Sequence, residues 1–254
     1  MKITVIGAGN LGLALCAFLS QEGHSVCLYN RTKKTIQSLM ETHTIEYQGV
    51  ISGRALISCV TTDLCEATNQ TQLILIATPA YAHKELAVAL AGCLKEDVPI
   101  VLNPGRTFGA IEFYHEFCKL SSISPLVSET QSTVFTCRKV SDVRVDILSL
   151  KHDVLIGATD MDKVDWLINY LPKSMSNQLK KAKSLVQTSI GNVGMIMHCA
   201  PLLLNCGWTE NEFVNYKYYY EGITPSVAHA LEKLDEERVA VSVALGCSVE
   251  STKD

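Results

Sequence analysis

Gly7, Gly9 and Gly12 stand directly behind the apolar run Ile3–Ile6 and in front of an apolar helical pattern. That spacing lets the chain turn tightly at Gly7, bring backbone close to a pyrophosphate at Gly9 and press a helix against the strand at Gly12. The amides of Asn10, Leu11 and Gly12 then open a helix whose N-terminus receives phosphate charge. A purely structural glycine turn could carry the same letters, but the strand before, the helix after and a second strand ending at Asn30 favour a dinucleotide.

The end of that second strand reads Tyr29-Asn30-Arg31-Thr32-Lys33-Lys34. NAD-specific sites usually place a carboxylate there for the ribose hydroxyls. Here Asn30 takes that place, Arg31 can fork onto a 2′-phosphate, and Thr32 can cap the next helix or donate its hydroxyl. NADP is the expected cofactor, with NAD on a merely solvated basic helix start as the other reading. Thr78-Pro79-Ala80 and Asn103-Pro104-Gly105 close the next strands, at the sheet edge where a nicotinamide belongs. Glu129 and Arg138 are charged in apolar strand context; they either pair or face the ligand, and Glu129 is counted with the cofactor contacts. His83 is expected on a helix surface.

Composition narrows the partners. The chain is 47% hydrophobic and 19% charged, inside the globular range, with 22 basic residues against 26 acidic ones. No basic stripe offers itself to phosphate backbones, so nucleic acid is not an expected ligand. No apolar run reaches the roughly 18 residues of a membrane span, and glycines with Asn10 interrupt any signal-peptide reading of the start. The ten cysteines form no CxxC pair and several lie in apolar runs; they read as small hydrophobes in a reducing compartment, which makes the cytoplasm the expected location.

The elements that must position these residues alternate strand and helix: Lys2 to Ile6, Ser25 to Tyr29, Leu56 to Val60, Leu73 to Ala77 and Ile100 to Leu102 are β-branched runs, each followed by turn residues. This predicts an α/β chain with a Rossmann-type, doubly wound, mainly parallel sheet over residues 1–170. Residues 44–53 read as a hairpin insertion, and residues 126–159 as further strands on one edge of that sheet. From 171 to 254 the texture is helical, with helices expected over Ser184–Trp208 and Pro225–Gly246. The first is apolar nearly all round, which suits a core or a homodimer interface.

Further stretches bring a resemblance. Val101-Leu-Asn-Pro-Gly-Arg-Thr-Phe-Gly-Ala-Ile-Glu-Phe113, Ser128-Glu-Thr130 with Thr136-Cys-Arg138, Asn192 with His198, Tyr220-Glu-Gly-Ile-Thr-Pro-Ser-Val227 and Leu234-Asp-Glu-Glu-Arg238 follow one another as in the octopine/nopaline (opine) dehydrogenases. The resemblance implies a Rossmann domain followed by a helical substrate domain. It also implies NAD(P)H-dependent reduction of the imine formed between an α-keto acid and an amino acid.

His198 matches the family's catalytic histidine, a sensible proton carrier near neutral pH. Asn192 matches its asparagine, with a helix-packing role equally open. The family continues into an Arg-Tyr-x-x-Glu-Asp run that supplies an acidic partner for the histidine; no such run precedes Asp254, so the expectation is either a naturally shortened helical domain or a piece of a longer chain, without its C-terminal part. Ketopantoate-reductase-like or 6-phosphogluconate-dehydrogenase-like enzymes, with a catalytic Lys among Lys180, Lys181 and Lys183, and a non-catalytic dinucleotide-binding protein are the rival readings.

Overall fold

The computed structural model describes residues 1–253, which divide into two compact units, Met1–Thr188 and Ser189–Asp254. The first contains β1 (Lys2–Ile6), α1 (Asn10–Gln21), β2 (Ser25–Tyr29), α2 (Lys33–Thr42), β3 (Thr44–Gly49), β4 (Gly53–Leu56), β5 (Cys59–Thr61), α3 (Leu64–Thr68) and β6 (Leu73–Ile76). It continues through α4 (His83–Cys93), β7 (Ile100–Leu102), α5 (Gly109–Cys118), β8 (Val127–Thr130), β9 (Phe135–Ser141), β10 (Arg144–Leu150), β11 (Val154–Ala158), α6 (Val164–Tyr170), α7 (Lys173–Ser176) and β12 (Leu179–Lys181). The short helix α8 (Leu185–Ile190) spans the division, and α9 (Gly194–Leu204), α10 (Cys206–Thr209), α11 (Tyr218–Glu221) and α12 (Pro225–Ala244) follow.

The main sheet runs β12-β11-β8-β7-β6-β1-β2-β5, and its pairings are parallel except for β11 on β8. β1, β6 and β7 are apolar on both faces because helices or a second layer cover both, which is why they read as continuous β-branched runs. The expected hairpin is β3 with β4. Residues 126–159 do not all lie on one edge of the main sheet: β8 and β11 do, whereas β9 and β10 leave it and join the hairpin in a four-stranded sheet ordered β4-β3-β10-β9. The reason is α1, whose Leu13, Leu15, Cys16 and Phe18 are buried on both sides, so that a second layer is needed to cover it. Phe18 stacks on Phe135 with ring centroids 4.5 Å apart.

The division falls after Thr188, not near residue 170, because the chain beyond Pro172 returns to the sheet. β12 adds to the edge at β11, and the Thr188 hydroxyl bonds to buried Glu129. The expected single helix over Ser184–Trp208 is broken at Gly191-Asn192-Val193 and again at Asn205, into α8, α9 and α10. The other expectation matches α12, with Pro225 in its first turn and Thr224 accepting from the Val227 amide.

Not all cysteines behave as small hydrophobes. Cys65 of α3 and Cys93 of α4 form a disulfide, which no short spacing announces because the partners are 28 residues apart. Cys16, Cys27, Cys137 and Cys247 are buried as expected, and burial pushes the Cys137 thiol up to about 11, while Cys199 and Cys206 are exposed. Among the described residues no helix is long and apolar enough to cross a membrane.

Candidate active site

The glycine loop is built by contacts that forbid side chains. Gly7 has φ +108°, and a Cβ there would lie 2.9 Å from Thr78 Cγ2. A Cβ on Gly12 would lie 1.7 Å from the Gly7 carbonyl oxygen, so only glycine lets α1 start this close to β1. At Gly9 a Cβ would meet nothing within 4 Å, which leaves open space over the helix N-terminus where a phosphate fits. Leu11 turns its side chain into the core and offers a ligand only its backbone amide, whereas the exposed Asn10 accepts the Lys139 amide at Oδ1, 2.7 Å away. Lys139, on β9, also places its Nζ 3.4 Å from the Ala8 carbonyl, so a cation covers the loop that the sequence reading did not include.

Beside the loop lies a cleft of about 350 Å³ whose lining includes Gly7, Asn30, Arg31, Thr32, Thr78 and Pro79. Asn30 is a strut: its Oδ1 accepts the Ala8 amide at 3.1 Å and its Nδ2 donates to the Thr32 carbonyl at 3.0 Å. Thr32 stands at the N-cap of α2, but its hydroxyl makes no capping bond. Arg31 does not face this cleft as an unopposed cation. Glu85 of α4 lines the same cleft and pairs with Arg31 at 2.9 Å, both side chains about three-quarters exposed. Ala80 opens a short 3-10 turn, and neither it nor Pro104 and Gly105 lines this cleft.

At the carboxyl ends of β6 and β7, Thr78 Oγ1 and Asn103 Nδ2 are buried without a hydrogen-bond partner. Such orphans invite a polar ligand, and with the open Gly9 they fit a dinucleotide laid across the strand ends. His83 is not on the surface. It is 1% exposed, with Nε2 3.3 Å from the Thr78 carbonyl oxygen and Nδ1 unpartnered. Burial pushes its pKa below the usual imidazole value against the opposing pull of that carbonyl.

Glu129 is turned inward. Fully buried in β8, it accepts the Ala110 amide at 2.9 Å and the Thr188 hydroxyl at 2.6 Å, and Gly105 packs against its side chain. A carboxylate at the start of α5 suits the helix dipole. These bonds tie Glu129 to the start of α5 and to Thr188, while Arg138 is exposed on β9.

In the helical unit, α9 carries His198. Its Nδ1 lies 2.8 Å from the Tyr219 hydroxyl, and the Tyr218 hydroxyl donates to the His198 carbonyl. Asn192 Oδ1 accepts the Gly194 amide at 2.9 Å, which explains the helix break. A Cβ on Gly194 would lie 2.9 Å from Asn192 Oδ1 and 3.7 Å from His198 Nε2. Glycine thus keeps a gap between the asparagine amide and the imidazole nitrogen that Tyr219 leaves unused.

The Leu234…Arg238 stretch proves structural. Arg238 and Asp235 form a buried ion pair at 2.8 Å, Arg238 donates to the carbonyls of Ile190 and Glu250, and Asp235 accepts the Thr252 amide at 2.7 Å. Burial pushes Asp235 up, but the Thr252 and Arg238 hydrogen bonds outweigh it and hold the carboxyl below its usual range.

Residues 181–254 match the family model "NAD/NADP octopine/nopaline dehydrogenase, alpha-helical domain", and residues 2–104 match "NAD-dependent glycerol-3-phosphate dehydrogenase N-terminus". An opine dehydrogenase of Arthrobacter sp. (strain 1C) is 32% identical over 248 residues, 97% of this chain and 68% of that protein. Vitopine synthase of Allorhizobium ampelinum is 23% identical over 98% of this chain and 70% of its own length. Among solved structures, yersinopine dehydrogenase superposes with a TM-score of 0.83 at 15% identity, covering 98% of this chain and 65% of that one. Octopine dehydrogenase in complex with NADH and agmatine superposes with 0.76 at 16%, covering 100% and 67%. The chain spans about two thirds of the length of these relatives. A glycine loop on a Rossmann sheet, a helical unit that matches the octopine/nopaline model and a relative 32% identical over 97% of this chain make the chain a member of the opine dehydrogenase family of NAD(P)-dependent dehydrogenases acting on CH–NH bonds.

Proposed function

We propose that this chain binds NADP(H) and reduces the imine formed between an α-keto acid and an amino acid, with His198 as the proton carrier. The observation that carries the reading is the His198 imidazole, held at Nδ1 by Tyr219, with Nε2 facing the gap over Gly194 in the segment matching the octopine/nopaline helical domain. The bound nicotinamide supplies the hydride. His198 moves the proton that imine formation and its reversal require, and Asn192 borders the same gap. Yersinopine dehydrogenase has been solved with NADP+, and octopine dehydrogenase with NADH and L-arginine, so the family admits either nucleotide. Arg31, with no carboxylate at position 30, supports the 2′-phosphate.

A lysine-based reductase mechanism is less well supported, since Lys181 lies on the edge strand β12 and pairs with Asp165 at 2.6 Å. The exposed Leu203, Phe213 and Tyr220 support self-association through the helical unit, testable by sedimentation. A cytoplasmic setting accords with the eight free thiols, though not with the Cys65–Cys93 disulfide, and is tested by fractionation.

The deciding assay follows NADPH oxidation with pyruvate and a panel of amino acids. Turnover should fall by about 10²- to 10⁴-fold in His198→Ala while NADPH affinity holds. Full turnover in that variant, or none in the parent on any pair, rejects the reading.

A further inference from the structure

Three strand-end segments converge beyond β7 and β8. The Gly105 amide donates to the Thr130 carbonyl at 3.2 Å, which sets Arg106 beside residues 131–134. The Lys151 amide, just past β10, donates to the Val134 carbonyl at 3.0 Å, and its Nζ donates to the Thr133 hydroxyl at 3.2 Å and reaches Ser132 Oγ at 3.4 Å. Two cations and two hydroxyls are therefore grouped at the carboxyl edge of the sheet.

Neither cation has an acidic partner. Among the described residues no carboxylate pairs with Arg106 or with Lys151. Lys151 is half-buried, and burial together with the Arg106 charge holds its ammonium below the usual lysine value. Removing a cation from water next to a like charge is costly, and among the described residues no carboxylate pairs with it to offset that cost. Arg106 also adopts a left-handed backbone, φ +64°, which a non-glycine residue takes only under constraint. A complementary anion would offset the charge on both side chains.

The cofactor's diphosphate is the wrong anion. Its seat follows β1, and the sheet order is β1-β6-β7-β8. At about 4.8 Å between neighbouring strands, the ends of β7 and β8 lie about 10 and 14 Å away from that of β1. A diphosphate on the Gly9–Gly12 amides does not span that distance. An anion here belongs to a second molecule next to the nicotinamide end, where buried Thr78 Oγ1 and Asn103 Nδ2 wait unpartnered.

We infer that Arg106 and Lys151, with the Ser132 and Thr133 hydroxyls, form a seat for a substrate carboxylate. The inference rests on the proposed imine reduction, in which both the α-keto acid and the amino acid carry such a group. The planar guanidinium can hold the two carboxylate oxygens in a fork, with the ammonium as a point charge beside it.

The test titrates the NADPH-loaded chain with pyruvate and, separately, with each amino acid of the panel by calorimetry. It compares the parent with Arg106→Gln, Lys151→Met and the double variant. Loss of one charge-assisted contact should weaken binding by about tenfold or more, with NADPH affinity kept within about twofold. Weakening confined to pyruvate assigns the seat to the keto acid, and weakening confined to the amino acids assigns it to them. Unchanged affinities for both, a parent that binds neither, or NADPH affinity falling in step overturns the seat. If charge removal weakens binding but the parent turns over no substrate pair, the seat stands and the imine reduction falls.

Discussion

The Tyr219 hydroxyl and the His198 Nδ1 stand 2.8 Å apart on a common face of the helical unit. A phenol oxygen can accept from Nδ1–H of both the neutral and the protonated ring, so this contact survives both states of a proton carrier. With the proton of the neutral ring on Nδ1, Nε2 is left to take and return a proton on the side of the gap over Gly194. In Tyr219→Phe, ¹⁵N chemical shifts of His198 should show mixed tautomers. Turnover should drop by up to about tenfold, the worth of one hydrogen bond, with NADPH binding unchanged. An unaltered tautomer ratio in the variant removes the positioning role.

Arg31 and Glu85 form the ion pair on which the proposed preference for NADP turns. Their ion pair is exposed and contributes little to stability, so its energetic effect is on the ligand. Glu85→Gln should tighten NADPH several-fold and leave NADH alone, because it frees the guanidinium. Arg31→Ala should cost NADPH about tenfold or more. Fluorescence titration of both nucleotides against both variants checks the pair of outcomes, and equal changes for NADH and NADPH contradict them.

His83 gives the first unit a pH limb. Its pKa is lowered by burial, so the folded state prefers the neutral ring. The resulting stability is fully present above the unfolded value near 6.5 and is lost as pH falls from there through the folded value. Urea midpoints measured from pH 7.5 to 5 should decline across this range in the parent. His83→Gln should flatten that decline, and an identical slope in the variant would contradict the assignment.

Asp235 and Arg238 are both nearly inaccessible, with side chains 6% and 3% exposed. Asp235→Asn leaves a buried guanidinium without its charge partner and should destabilise the helical unit by about 3–5 kcal/mol. Because the Asp235 pKa is lowered, the pair's contribution holds above the ordinary carboxylate range and fades as pH falls through the depressed value. Hydrogen exchange of α12 amides provides the readout. Protection unchanged in the variant would show that the clamp contributes little.

The glycine loop was legible in the sequence because every contact that defines it is local or lies one strand away. The main sheet was legible for the same reason, through unbroken β-branched runs. Glu85, Lys139 and Tyr219 were not, since they meet Arg31, Asn10 and His198 across 54, 129 and 21 residues, and no spacing encodes such meetings. β9 and β10 alternate like edge strands of the main sheet; only the need to cover the outer face of α1 sends them elsewhere. His198 itself was visible through resemblance alone, a lone histidine on an apolar helix having no periodic signature.

Phe135 stacking on Phe18 ties the order of synthesis to the readiness of the cofactor loop. While the ribosome is still making the segment before β9, the outer face of α1 has only β3 and β4 to cover it, and the Lys139 contacts to Ala8 and Asn10 have not formed. Pairings this distant in sequence form late and leave apolar surface uncovered in the meantime. A nascent chain paused before Phe135 would therefore hold its glycine motif in full yet present it on an unfinished scaffold, more attractive to a chaperone than to a nucleotide.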